Sequence, residues 1–306
     1  MKRILAIDGG GIKGVFPASF LATLEDSIQD NVANYFDLIV GTSTGGIIAL
    51  GLGLGLSATE ILAFYEKFGP RIFARNHRLG LFKSKYDNAT LKEALETCFE
   101  KKKLGDSQKR LVIPSLNLEN GEVRLYKTAH HPRFQRDYKV KAVEVGLATS
   151  AAPTYFPTHR TETGTPLIDG GIWANNPVGV ATVEAITVLD WPRDSLKILS
   201  LGCTKPLDVN LGRKIPLGKL YWGFKLPDVF VQAQSYASLG TAKLIAGHDN
   251  IIRIAPSVSH RRFGLDNTKE IHSLKGLGDS EAGKTLDQLQ KTFLGDPAEP
   301  FNPFNQ

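Results

Sequence analysis

Cysteine is almost absent from this sequence: Cys98 and Cys203 are the only two in 306 residues. That excludes a disulfide framework and fits a reducing compartment. Long apolar runs are missing too. The most weakly polar stretch, residues 47–58, is interrupted by Gly51, Gly53 and Gly55 and falls short of the ~20 residues that span a bilayer. Before Asp8 there is only the apolar run Ile4-Leu5-Ala6-Ile7, too short for a secretory leader. A cytoplasmic protein that does not cross the membrane is therefore expected. Charge of one sign is only mildly in excess, at a net +6, and its clusters Lys101-Lys102-Lys103 and Arg261-Arg262 suit a solvated surface, so no nucleic-acid polymer is expected as a partner. Repeats and low-complexity linkers are lacking as well. With 42% apolar and 22% charged residues, the chain has the composition of an ordinary globular protein, and one domain over residues 1–306 is expected.

Glycine is plentiful, and its placement carries information. One turn reads Asp8-Gly9-Gly10-Gly11-Ile12-Lys13-Gly14, after a strand beginning near Arg3. A second reads Gly41-Thr42-Ser43-Thr44-Gly45, between an apolar strand at residues 38–40 and a helix-like run from Gly46. Strand, sharp turn and helix are the context of a nucleophile elbow, in which Gly41 and Gly45 leave room for the serine to stand exposed. Ser43 is the candidate nucleophile. The first turn presents backbone N–H groups at a helix start, where developing negative charge is favoured. Gly9, Gly10, Gly11 and Gly14 are therefore candidate oxyanion donors, Gly10 and Gly11 foremost. A right-handed β-α-β crossover would bring the two turns side by side at the carboxyl ends of neighbouring strands.

The base is less obvious. Seven histidines are scattered and none lies in a catalytic motif. Asp169 is the better candidate: it ends a short apolar strand, is followed by Gly170 and Gly171, and is flanked by Leu167, Ile168, Ile172 and Trp173. A carboxylate deprived of water is a stronger base than a solvated one. Each turn alone is weak evidence, since Gly9-x-Gly11-x-x-Gly14 also suits a dinucleotide fingerprint. That reading needs an acid at the end of the second strand, where Gly41-Thr42-Ser43 stands instead.

Coarse periodicity places further helices at residues 59–68, 91–99, 143–148, 229–245 and 286–293, and one beginning at Pro177. It places strands at 110–117, 122–127, 167–168, 196–201 and 251–254, with a hairpin turn at Asn120-Gly121. Alternating helices and strands indicate a layered α/β fold.

With the two turns and Asp169-Gly170-Gly171 in this order and spacing, the chain resembles the patatin-like phospholipases over roughly residues 1–205. Lys85-Tyr86-Asp87 and the Ala-rich segment 148–157 support the match. The resemblance implies a three-layer α/β/α fold with a mainly parallel central sheet, residues 206–306 completing the domain. It also implies an oxyanion hole at Gly9 to Gly14, a Ser43–Asp169 dyad, an acyl pocket at 148–157, and hydrolysis of lipid acyl esters without metal or other cofactor. The tail looks like that of compact bacterial members, some of which are antiphage effectors silent until a cyclic oligonucleotide binds. A membrane phospholipid substrate and peripheral contact with the inner face of the membrane follow, for which Tyr221 and Trp222, near Arg213, Lys214 and Lys219, are candidates. Two alternatives stay open: an α/β-hydrolase triad using His248, His260 or His272, and a non-catalytic storage or ligand-sensing protein.

Overall fold

The computed structural model describes residues 1–74, 83–206, 219–258 and 263–305, with backbone alone at 205–206, 219–221 and 223–225. Alternation along the first strand, β1 (Lys2–Ile7), sets the architecture: Leu5 and Ile7 enter one apolar cluster, Ile4 and Ala6 another. A strand buried on both faces needs a helical layer on each. The face of Leu5 is covered by α1 (Val15–Ile28), α2 (Thr44–Gly53), α3 (Ala58–Ile72), α4 (Ala89–Phe99), α5 (Ala142–Thr149) and the terminal α9 (Ile271–Thr292). Between α5 and α9 the chain forms α6 (Gly171–Ala174), α7 (Val178–Thr187) and α8 (Lys219–Ala246), and the last two cover the face of Ile4.

Seven further strands complete the sheet: β2 (Leu38–Gly41), β3 (Arg110–Asn117), β4 (Val123–Lys127), β5 (His159–Arg160), β6 (Pro166–Asp169), β7 (Leu196–Leu201) and, beyond the two-residue β8 (Lys205–Pro206), β9 (Ile251–Ile254). Their order is β5-β6-β3-β2-β1-β7-β9, with β4 also paired to β3; β8 pairs separately with β10 (Ser257–Val258). β3, β2, β1, β7 and β9 run parallel, whereas β4, β5 and β6 are antiparallel to their neighbours. This is the expected three-layer arrangement with a mainly parallel sheet.

Beyond residue 205, β9 extends the sheet and α9 lies against α1. The latter contact explains why α9 extends well before residue 286. At Gly278 a Cβ would stand 2.7 Å from Phe16 O and from Ser19 Cβ. Glycine there permits close helix approach. Ser19 Oγ then donates to Lys275 O at 2.9 Å and to Asp279 Oδ1 at 2.6 Å. Replacing Gly278 by valine is expected to push α9 off α1 and cost roughly 1–3 kcal/mol by overpacking; an unchanged denaturant midpoint would contradict this packing account.

Candidate active site

Parallel pairing of β1 with β2 aligns Ile7 with Gly41, so the two glycine turns leave the sheet together. Gly9 and Ser43 become neighbours: a Cβ on Gly9 would lie 3.3 Å from the Ser43 Cβ. The elbow is tight. Ser43 has φ 56° and ψ −122°, a conformation that costs a non-glycine residue free energy and persists only where its surroundings enforce it. A Cβ at Gly45 would stand 2.3 Å from Ile7 O, which shows how closely the elbow is pressed against β1. Thr149, at the end of α5, fixes the other side: its Oγ1 accepts the Ser43 N–H at 2.9 Å and donates to Pro114 O at 2.6 Å.

Asp169 arrives from the antiparallel side of the sheet, paired with Ser115 of β3. Asp169 is 5% exposed; its carboxylate accepts the Gly171 N–H at 2.6 Å and faces the Ser43 hydroxyl. Burial pushes its pKa up from 3.8 to about 6, opposed by these two groups. A carboxylate in this range is still ionised at neutral pH and takes a proton more readily than a solvated one. The structure thus brings Ser43 and Asp169 together. Gly170 underlies this contact, since a Cβ there would collide with Pro114 O at 2.4 Å.

The four expected oxyanion donors divide in two. The Gly9 N–H is already engaged, donating to Asn175 O at 2.9 Å. Gly14 packs against Thr44 and Tyr65, outside the lining of the cavity over Ser43. Gly10 and Gly11 remain: both line that cavity, and neither N–H meets an acceptor among the described residues. Gly11 has φ +58°, and a Cβ on it would strike Leu265 O at 2.3 Å; Leu265 O accepts the next N–H, of Ile12, at 2.8 Å.

Sequence reasoning missed what holds this turn from outside. Arg253 of β9 reaches back to Asp8, with Nη1–Oδ1 and Nη2–Oδ2 distances of 2.7 and 2.5 Å, and its Nη1 also donates to Ser200 Oγ at 2.8 Å. A lone arginine in the otherwise apolar Ile251-Ile252-Arg253-Ile254 was the available signal, because a buried cation demands a partner. Cys203 backs Gly10, and burial pushes its thiol up to about 12, so it is a neutral packing group.

The cavity over Ser43 measures about 990 Å3 and is mostly apolar, walled by Ile47, Phe64, Ile72, Tyr155, Phe156 and Leu265 among others. Residues 150 and 152–156 do line it, as the Ala-rich segment implied. Tyr86, in the Lys85-Tyr86-Asp87 segment, stacks against Tyr155, and the Tyr86 hydroxyl and Lys85 both bind Asp266. One rim is α8, pinned in place by Gln234, whose side chain accepts the Asn175 N–H at 3.1 Å and donates to Trp173 O. Lys13 faces the cavity, where burial pushes its pKa down against the nearby charges of Asp8 and Asp228. Among the described residues no histidine borders the cavity, and no cluster of ligands suits a metal. His248 and His272 lie elsewhere, and His260, like Arg213 and Lys214, falls outside the described residues. Tyr221 and Trp222 belong to the opening turns of α8.

Comparison with known proteins accords with this geometry. A family model described as patatin-like phospholipase matches residues 5–182. Proteins named cGAMP-activated phospholipase are similar along nearly their whole length. That of Pseudomonas aeruginosa is 38% identical over 99% of this chain and 91% of its own, and that of Escherichia coli is 32% identical over 98% and 94%. In the fold alone, VipD from Legionella pneumophila is similar, with a TM-score of 0.54 at 15% identity over 94% of this chain and 67% of its own. On the family match and these identities, the chain belongs to the patatin-like phospholipases, hydrolases of lipid esters.

Proposed function

We propose that residues 1–306 form one catalytic domain, a phospholipase A that cleaves fatty acyl esters through an acyl-enzyme on Ser43 and is switched on by a cyclic oligonucleotide. The observation that carries the chemistry is the Ser43 hydroxyl set beside the desolvated Asp169 carboxylate in the cavity that Gly10 and Gly11 also line. Asp169 takes the hydroxyl proton as Oγ attacks the ester carbonyl. The resulting oxyanion is held by the Gly10 and Gly11 N–H groups, and Asp169 returns the proton to the departing alcohol. Water then enters, loses a proton to Asp169 and hydrolyses the acyl-enzyme. The apolar wall suits an acyl chain, and Lys13 supplies a cation for an anionic head group. Gating by a cyclic oligonucleotide rests on similarity to relatives that bear cGAMP activation in their names.

The substrate of such an enzyme lies in a membrane, and no helix among the described residues is long and apolar enough to cross one. Peripheral contact with the cytoplasmic face is proposed instead. Ile172 and Tyr236 line the cavity yet are 53% and 55% exposed, and Phe230 on the same helix as Tyr236 is 64% exposed. Aromatic and aliphatic side chains displayed at the mouth of an apolar cavity suit insertion among lipid headgroups.

Fatty acid release from mixed phospholipid vesicles with cGAMP present is expected to fall at least a thousandfold in both Ser43→Ala and Asp169→Asn, by analogy with removal of nucleophile or base in other acyl hydrolases. Activity retained in Asp169→Asn would reject the dyad. The raised pKa of Asp169 also sets two pH dependences. Turnover needs the ionised base, so it is expected to decline as pH drops through about 6. Stability moves oppositely: the folded state holds this proton more tightly than the unfolded chain, so ionisation between pH 3.8 and about 6 destabilises the fold, by about 3 kcal/mol once complete. Asp169→Asn should therefore raise the melting temperature at pH 8 while abolishing turnover; a lowered one would refute burial as the cause. Finally, Phe230→Glu is expected to reduce vesicle hydrolysis at least tenfold with soluble-ester turnover nearly unchanged, and equal losses would reject the interfacial role.

A further inference from the structure

A second cavity, of about 820 Å3, opens at the other end of the sheet, where the parallel strands begin. Three segments wall it: residues 103–109 leading into β3, the turn at Tyr138 and Lys139 leading into α5, and the tail at 297–303. Arg3 anchors that tail through Nη1, which donates to Phe293 O at 2.7 Å and Asp296 O at 2.5 Å. None of these residues takes part in the chemistry at Ser43.

Lys109 is the residue that calls for an explanation. It lines the cavity, is only 9% exposed, and its ammonium makes no hydrogen bond or ion pair among the described residues. The carboxylate that acts on it most strongly, Asp37, is committed elsewhere, to the Lys2 ammonium at 3.2 Å and the Arg3 N–H at 2.9 Å. The stem of Lys109 is buried while its ammonium opens into the cavity without a counter-ion, and an anion entering the cavity would supply one. Lys103 and Lys139 add two more cations at the wall. The one acid there, Asp106, is turned to the backbone, where its Oδ2 accepts the Lys103 N–H at 2.7 Å.

The same cavity presents flat apolar surface. Tyr138 and Phe301 both line it, with Arg110 over the Phe301 ring at 5.0 Å. Cations interleaved with aromatic rings match a ligand that alternates phosphates with heterocyclic bases. We propose that a cyclic dinucleotide binds here, with Lys109 meeting a phosphate and Tyr138 and Phe301 flanking the bases. This inference rests on the reading that the enzyme is gated by such a ligand, and it places the ligand away from the substrate cavity.

Two of the walls lead straight to the nucleophile. From Lys109 the chain continues along β3 to Pro114, and from Lys139 it continues along α5 to Thr149. These two ends are joined by the hydrogen bond from Thr149 Oγ1 to Pro114 O, and the same oxygen holds the Ser43 N–H. A ligand that draws the two walls together therefore acts on the group that fixes the elbow.

Calorimetric titration of the full chain with cGAMP tests the proposal, using wild type, Lys109→Gln and Lys139→Glu, and wild type blocked at Ser43 by a fluorophosphonate. Binding weakened at least tenfold in both variants and retained in the blocked enzyme is the expected result. Lys139 is exposed, so Lys139→Glu decides the matter if Lys109→Gln does not fold. Undiminished binding in Lys139→Glu and Lys109→Gln, or binding lost on blocking Ser43, would overturn the second site while leaving gating intact. Failure of cGAMP to bind wild type would overturn this site and also the reading that cGAMP gates the enzyme.

Discussion

A carboxylate stripped of water and held against a serine hydroxyl is the constraint on which the remainder of this structure turns. Asp169 gains its basicity from burial, and burial at that point requires a closed sheet edge and a serine brought to it from a different strand. The antiparallel β6 supplies the first, and the elbow after β2 the second. Free energy spent on an ionised buried group and on a left-handed Ser43 has to be recovered from packing, and the two apolar clusters on either side of β1 provide it.

The parts legible in the sequence are those where local pattern and tertiary demand coincide. β7 and β9 appear at residues 196–201 and 251–254 as their apolar runs imply, and the Asn120-Gly121 turn joins β3 to β4. The elbow, the glycine turn and Asp169 were visible because their chemistry dictates residue types at fixed spacing. Illegible were features created by contact between distant segments. Gly278 in α9 serves close packing on α1, and Pro227 sits inside α8 rather than before it. β5, β8 and β10, of two residues each, are too short to show a period. Within the glycine turn, spacing could not tell the engaged N–H of Gly9 from those of Gly10 and Gly11, because the distinguishing partner, Asn175, lies far along the chain.

The division of labour between nucleophile and oxyanion donors follows from the same geometry. The Ser43 N–H is held by Thr149, so in the proposed mechanism stabilisation of the oxyanion falls to a turn on β1 and not to the elbow itself. Two strands therefore share one active site, and their relative position matters as much as the identity of either motif.

The clamp of Arg253 on Asp8, together with Leu265 O on the Ile12 N–H, carries a consequence in time. A ribosome releases Ser43 and Asp169 long before it has made residues 253 and 265. Until then the turn that must receive the oxyanion lacks its outer supports, so a growing chain bears its nucleophile and base without a finished oxyanion hole. In a hydrolase of lipid esters, the oxyanion turn thus matures only after residues 253 and 265 have joined the fold.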